Sequence, residues 1–289
     1  MIHRGVGRGG VGRGGVGRGA AALFIAAVAV AVSGCSLLAP AASRPTPTPT
    51  ETSDPVPIAQ QLPDLRVAGQ TIATGQLQAV EHDPGDGMPA APPLTGAVRV
   101  VVNSWLRVEV HVRPDAPLPE GSADASRLQG YSLLVTNARH DGKPGPVQPM
   151  VFGLDSDLVS VTPDGELVLP IPPGFTSEGD PSYLHSIEET VGGSGVIAAA
   201  PLTWTLPSPF PKLQAVDHGP VSFARGKAIV EDGVLTGYVP NPYDTLFAVS
   251  RRFGLTEVEL VWLNPALLFG SPEPQLKYDV EITLDPARR

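Results

Sequence analysis

The sequence predicts a β-rich sandwich followed by a small α+β unit of βααβ order, with a signal and tether in front that have no core and are expected to be disordered. Three observations carry this expectation. Apolar residues alternate with period two between about residues 64 and 208. They recur with helical spacing in residues 236–285, and residues 35–63 show no apolar periodicity. The chain is therefore divided into residues 1–34 (signal), 35–63 (tether), 64–208 (β domain), 209–235 (linker and hairpin) and 236–285 (the βααβ unit).

Composition narrows the function classes. The 289 residues allow one large domain or two modest ones, and the 32 Gly and 33 Pro mean that part of the chain does not pack. The net charge is −9. The first 34 residues hold four Arg and no acid, which leaves 16 basic and 29 acidic side chains from Cys35 onward, a net −13. Such a surface repels phosphate backbones, so nucleic acid is excluded as a partner. A single Cys forms no internal disulfide and no thiolate metal site, and no two of the six His lie close enough for a local zinc motif. No cofactor is expected.

Residues 5–19 are three copies of Gly-Val-Gly-Arg-Gly, a basic low-complexity run. Ala20 to Val32 follows without a charge; thirteen residues is short of the ~20 that a spanning helix needs and suits a signal h-region. The run ends in Val32-Ser33-Gly34-Cys35. This resembles the lipobox of bacterial lipoproteins: an aliphatic residue, two small residues, then Cys. The resemblance implies a diacylglyceryl group on the Cys35 sulfur, cleavage just before it, and a mature protein held by its acyl chains on the extracytoplasmic face of the cell membrane. The alternative is an ordinary secretory signal with an incidental Cys. Beyond it, Arg44-Pro-Thr-Pro-Thr-Pro-Thr sits at the centre of a solvated Pro/Thr/Ser/Ala stretch. Its 28 residues reach at most ~90 Å at ~3.1 Å each.

In the β domain, Trp105 to Arg113 reads as a strand, with Leu106, Val108, Val110 and Val112 on one face and Arg107, Glu109, His111 and Arg113 on the other. Val98, Val100 and Val102 make its partner, with Asn103-Ser104 as a tight turn. Tyr131 to Thr136 alternates again. Leu158 to Val161, the Pro163-Asp164-Gly165 turn and Leu167 to Ile171 read as a hairpin, and Val196 to Leu206 as one long last strand. Six or seven short strands between Pro- and Gly-rich turns give a sandwich that is Ig-like in outline.

No catalytic or metal set is expected there. His185-Ser-Ile-Glu188-Glu189 lacks the second His of an inverted zinc-peptidase motif and reads as a short helix or loop. Ser194 lacks the second Gly of a nucleophile elbow. The pairs Asp83/Asp86 and Asp155/Asp157 lack the oxygen ligands of a calcium loop and read as turns. His111 is expected to be exposed.

The C-terminal stretch runs Tyr238-Val-Pro-Asn-Pro-Tyr-Asp244-Thr245-Leu246, then Phe247-Ala-Val-Ser-Arg-Arg-Phe253-Gly254-Leu255-Thr256. Glu259-Leu260-Val-Trp-Leu263-Asn264-Pro265 and Leu276 to Leu284 complete it. Asp244 is expected to N-cap a helix through Phe253, with Leu246, Val249 and Phe253 inward and Gly254 as its left-handed stop. Thr256 with Glu259 forms a capping box for a second helix whose inner residues are Leu260 and Leu263. Strands around Tyr238 and Val280 to Leu284 flank the pair.

This order resembles the LysM module, a βααβ domain that binds N-acetylglucosamine glycans such as peptidoglycan. The Asp-Thr-Leu, Arg-Phe-Gly and Leu-x-x-Leu-Asn-Pro sequences match the family pattern over about a sixth of the chain. Pro240, Tyr243 and Asp279 depart from it, the last two standing where Gly is usual. The resemblance implies a glycan groove lined by Tyr243, Asp244, Thr245 and Leu246, facing Asn264, Pro265, Ala266, Leu267 and Leu268. Tyr243 either stacks on a sugar or fills the groove. The chain is thus expected to be a non-enzymatic envelope lipoprotein that binds cell-wall peptidoglycan. Two alternatives remain: a scaffold lipoprotein whose degenerate LysM unit has lost sugar binding and pairs with protein instead, or a wall hydrolase with its catalytic centre in the β domain; under any of these readings the β domain is open to a protein partner. The Cys35→Ala chain is expected to stay unprocessed or to be shed in soluble form. Membrane fractionation with acyl labelling checks this, and normal retention and labelling would remove the anchor.

Overall fold

The computed structural model describes residues 56–81, 93–117, 131–154, 158–172, 179–191, 195–269, 271 and 273–289. The expected signal peptide, Cys35 and most of the tether lie outside these residues, as do Asp83, Asp86, Asp155, Asp157 and Ser194.

Ten strands form one antiparallel sheet: β1 Thr71–Ala79, β2 Gly96–Val102, β3 Val108–Pro114, β4 Tyr131–Thr136, β5 Val151–Gly153, β6 Ser160–Val161, β7 Leu167–Pro170, β8 Ser186–Val191, β9 Val196–Pro201 and β10 Thr203–Trp204. Their order is β5-β4-β8-β9-β1-β2-β3-β7-β6, with β10 also beside β1. The β-rich expectation holds, but the two layers of a sandwich are joined. Strand β1 pairs with β2 along one edge and with both β10 and β9 along the other, so the sheet curls around a single core. Alternation marks the buried face of a strand and is the same for a sandwich and a curled sheet.

The central pairs are those expected: Val98 lies opposite Val112, Val100 opposite Val110 and Val102 opposite Val108, all nearly solvent-free. The strand expected from Trp105 begins only at Val108. The Asn103 side-chain oxygen accepts the N–H groups of Trp105 (2.9 Å) and Arg107 (3.0 Å), which widens the turn to residues 103–107 and leaves Trp105 and Leu106 exposed. The long strand expected over Val196 to Leu206 is divided at Pro201-Leu202, where Pro201 has no N–H to donate. Opposite the break, a Cβ on Gly75 would lie 2.7 Å from the Pro201 oxygen, so only glycine lets the strands approach there. The expected helix or loop at His185–Glu189 is corrected: Ser186–Val191 is the interior strand β8, between β4 and β9.

The second core lies in the C-terminal part. The expected βααβ order is present as β12 Val234–Val239, α2 Leu246–Arg252, α3 Glu257–Leu263 and β13 Ile282–Thr283, and β11 Lys227–Glu231 adds a third strand in the order β11-β12-β13. Gly254 ends α2 at φ +69°, and the Thr256–Glu259 capping box starts α3, both as expected. Val249, Phe253, Leu260 and Leu263 are buried. Residues outside 236–285 complete this core, namely Phe210, Leu213, Ala215, Ala224, Ala228 and Leu235, with Ile58 and Leu62 from a short helix, α1 Ile58–Gln61, and its C-cap. The last residues of the expected tether are therefore part of the fold, because Ile58 and Leu62 share one face of a helical turn.

Sheet and helical part belong to one compact unit, joined by a buried cluster. The Trp262 indole N–H donates to Asp180 Oδ2 (2.6 Å), and the Arg289 guanidinium meets the same oxygen at 3.1 Å. Arg289 also lies over the Trp262 ring at 4.1 Å and donates to the Trp262 backbone oxygen (2.8 Å) and Ser182 Oγ (2.6 Å). Burial lowers the Arg289 pKa to about 10, against the opposing pull of Asp180. Around this cluster, Gln148 donates to the Glu281 oxygen, and Phe152 packs on Phe269 with ring centroids 5.4 Å apart.

Removing one partner of a buried pair leaves an uncompensated charge. Asp180→Ala is expected to cost ~3–5 kcal/mol in a denaturant melt, and adding Arg289→Met is expected to recover most of it. A single-variant cost below ~1 kcal/mol would show that the cluster does not bind the two parts together.

Candidate functional site

The expected groove residues fall into two groups with different surroundings. Asp244, expected from sequence to cap α2, does not; Thr245 caps it instead, its hydroxyl accepting the Ala248 N–H at 3.2 Å. Asp244 instead accepts from the backbone N–H groups of Arg225 (2.8 Å), Gly226 (3.0 Å) and Asn241 (2.8 Å), and from the Tyr238 hydroxyl. Partial burial pushes its carboxyl upward, but these four donors outweigh that and hold it below the ordinary carboxylate range. Burial, and after it the same contact with Asp244, raises the Tyr238 pKa.

Beneath this, Arg252 grips Asp217 through Nε (2.8 Å) and Nη2 (2.9 Å) and donates to the oxygens of Ala224 (3.1 Å) and Gly226 (2.9 Å). Its guanidinium lies over the rings of Tyr238 and Phe253. A Cβ on Gly226 would lie 2.1 Å from the Val239 oxygen, so the segment sits tightly on β12. Residues 217–226 are thus pinned along α2, by Asp244 just before its start and by Arg252 at its end. The segment expected to be a linker is a wall of the surface.

That wall and the loop before α2 enclose an open concavity of about 520 Å³ lined by Ser222, Phe223, Arg225, Asn241, Pro242, Tyr243 and Asp244. Tyr243 is 83% exposed and Phe223 61%. Phe223 is held at φ +63°, its oxygen accepting the Thr245 N–H at 2.9 Å. Ser222, Phe223, Arg225 and Asn241 were not among the residues expected. Residues 220–226 carry no periodicity, and only tertiary bonds, from Thr245 to Phe223 and from Arg225 and Gly226 to Asp244, bring Phe223 beside Tyr243.

The other group faces the sheet. Asn264 is buried; its amide donates to the oxygens of Leu260 (3.0 Å) and Thr283 (2.9 Å), and its oxygen accepts the Thr283 N–H (2.7 Å). It ties α3 to β13. Pro265, Ala266, Leu267 and Leu268 form a 3-10 turn in which Leu267 is core. Asn264, Pro265 and Ala266 line a narrow cleft with Pro146, Gln148, Met150 and Tyr183, and Ala266 packs on the sheet core. Leu246 is half-buried in the second core. Tyr243 and Asp244 therefore line one concavity, and Asn264, Pro265 and Ala266 another.

The polar faces of the sheet hold paired charges. His111, expected to be exposed, is enclosed between Glu166 (3.1 Å) and Glu109 (3.4 Å), and Arg99 binds Glu166 at 2.6 Å. Partial burial raises the Glu166 pKa, and Arg99 and His111 more than reverse this. His140 meets Glu188 at 2.7 Å. Glu189 is buried and accepts the Leu94 N–H at 2.7 Å, with burial raising its pKa. His185 faces the Arg289 backbone oxygen at 2.5 Å, and burial lowers its pKa to about 4. Among the described residues no group of three or more His, Cys, Asp and Glu is placed to hold a metal ion, and no helix is long and apolar enough to cross a membrane.

No family model matches the chain, and neither the curated proteins nor the solved structures give a significant match.

The backbone at Tyr243 and Asp279 has a local account. Tyr243 does not occupy a positive-φ position, so its place needs no glycine. Asp279 does: it sits at φ +58°, with its N–H bonded to the Pro240 oxygen at 3.1 Å. Asp279→Gly is expected to stabilise the fold by roughly 0.5 kcal/mol, the ~1–2 of relieved strain less the ~0.5–1 of added chain entropy. A melt in which this variant is clearly less stable would mean that the Asp279 side chain has a role of its own.

Proposed function

We propose that this chain is an exported lipoprotein, anchored through Cys35, whose LysM-like unit holds cell-wall glycan without turning it over. The observation that carries the reading is the open concavity at the start of α2, with the exposed rings of Phe223 and Tyr243 on its walls. Aromatic rings of this kind stack on the apolar faces of sugars. Ser222 and Asn241 supply hydroxyl and carboxamide groups for the glycan's hydroxyl and acetamido groups, and the exposed Arg225 offers a cation to a glycan carboxylate. Asp244 is spent on the fold and serves only to shape the site. Of the family groove, Tyr243 and Asp244 contribute here, and Thr245 caps the helix behind them. One shallow concavity with few polar contacts binds weakly, so attachment depends on acyl anchor and glycan engaging together across the tether.

One observation favours the scaffold alternative. Asn264, Pro265 and Ala266, the far wall of the family groove, are turned toward the chain's own sheet.

Co-sedimentation of residues 36–289 with purified peptidoglycan tests the choice. The double variant Phe223→Ala, Tyr243→Ala is expected to lose about tenfold or more in binding while melting like the parent. Equal sedimentation of parent and variant would remove the glycan site and leave the scaffold reading.

A further inference from the structure

The β2–β3 hairpin ends in a loop whose shape serves no core. The last inward pair is Val102–Val108, and beyond it the chain presents Trp105, 81% exposed, and Leu106, 42% exposed. Leu106 is held at φ +57°, a conformation that costs a residue with a Cβ ~1–2 kcal/mol. The Asn103 carboxamide enforces it: its oxygen takes the Trp105 and Arg107 N–H groups, and its amide donates to Glu109 Oε1 at 2.7 Å. The neighbouring Val67–Gln70 turn, bonded to Val102 from both sides, leaves Val67 61% exposed at the same end of the sheet. Arg107 is exposed and has no carboxylate partner among the described residues. Trp204 and Trp262 differ: both are at least partly buried, and each indole N–H has an acceptor.

We infer that this tip is a membrane-interface wedge: the Trp105 and Leu106 side chains enter the boundary between headgroups and acyl chains of a lipid surface, and Arg107 pairs with lipid phosphate. The chemistry separates this occupant from the others. A stable protein interface needs ~800 Å² per partner, and one or two convex side chains supply a fraction of that. A sugar platform needs free polar groups beside the ring, and the Asn103 carboxamide is already engaged at both ends. A bilayer interface asks for an amphipathic ring, an aliphatic neighbour and a cation, the set presented here. The acidic remainder of the molecule is repelled by an anionic surface, which confines contact to the tip. The span from Cys35 to Val56 is 21 residues, at most ~65 Å, so an anchored chain keeps the tip within reach of its own membrane. That last point rests on the lipoprotein reading above; the wedge itself does not.

The test uses residues 36–289, which carry no acyl group and hold every described residue, with vesicles of phosphatidylethanolamine and phosphatidylglycerol. The protein is expected to float with the vesicles, and its tryptophan emission to shift to the blue and be quenched by brominated acyl chains. Trp105→Ala and Leu106→Gly are each expected to weaken partition about fivefold or more. Leu106→Gly suits the backbone at that position, so it is expected to melt no lower than the parent, which separates lost contact from lost fold. Trp105→Ala should still sediment with peptidoglycan as the parent does. Absence of flotation, flotation unchanged in both variants, loss of peptidoglycan binding in Trp105→Ala, or a dimer that Trp105→Ala dissociates would each overturn the wedge. Fractionation of the Cys35→Ala chain reports on the anchor alone, so the two readings fail separately.

Discussion

Asp180 receives two donors from the other part of the molecule, the Trp262 indole N–H and the Arg289 guanidinium, at a place where water has been removed. A carboxylate buried this way is tolerated only while both contacts persist, because unpaired it would carry most of its desolvation cost. The acceptor comes from the chain just before β8, one donor from α3 and the other from the last residue. The pairing therefore fixes how the helical part lies on the curled sheet. With the arrangement set, Ala266 and Phe269 reach the sheet core, and Phe210 packs edge-on against Trp262. The cluster is also intolerant of partial change. Arg289 stacks on the same ring whose N–H shares its carboxylate, so the three groups order one another.

This arrangement determines which surfaces remain for binding. The turn after α3 is drawn toward the sheet, so its polar residue, Asn264, becomes a structural tie between α3 and β13. The start of α2 points elsewhere. There Asp244 and Arg252 do the corresponding work, fastening residues 217–226 so that Phe223 and Tyr243 stand on the walls of one open concavity. The proposed function draws on side chains that line this concavity: the two rings, Ser222, Asn241 and Arg225. The same logic applies at the hairpin tip, where Asn103 spends its carboxamide on loop shape and leaves Trp105 outside.

Much of the architecture was legible in the chain. The valines of β2 and β3 announced their own register, since alternation over three inward positions admits one pairing that buries both faces. Thr256 with Glu259, and Gly254 after Phe253, marked helix boundaries through bonds made within a few residues. Strand β1 was missed because a register shift buries Ile72 and Ala73 together and Gly75 adds no side chain to the pattern. Strand β8 was misread because Glu188 and Glu189 are both buried, one beside His140 and the other beneath the Leu94 N–H. Acidic residues look solvent-facing until their partners, tens of residues away, are known.

The sequence by itself determined what depends on near neighbours: the strand valines, the capping box of α3, the glycine that ends α2, the apolar face of α2 and α3, and the net charge. Tertiary structure alone decided that the two expected layers are one curled sheet, that Asp244 clamps a distant segment while Thr245 caps, and that of the nine expected groove residues Tyr243 and Asp244 line one concavity, Asn264, Pro265 and Ala266 another, and Leu246, Leu267 and Leu268 join the core. Caps and alternation are energies of residues within a turn or a strand of one another. Closure of the sheet through β1, the Asp180 cluster and the wall at Phe223 are contacts between segments far apart in the chain. Their geometry exists only after the cores have formed.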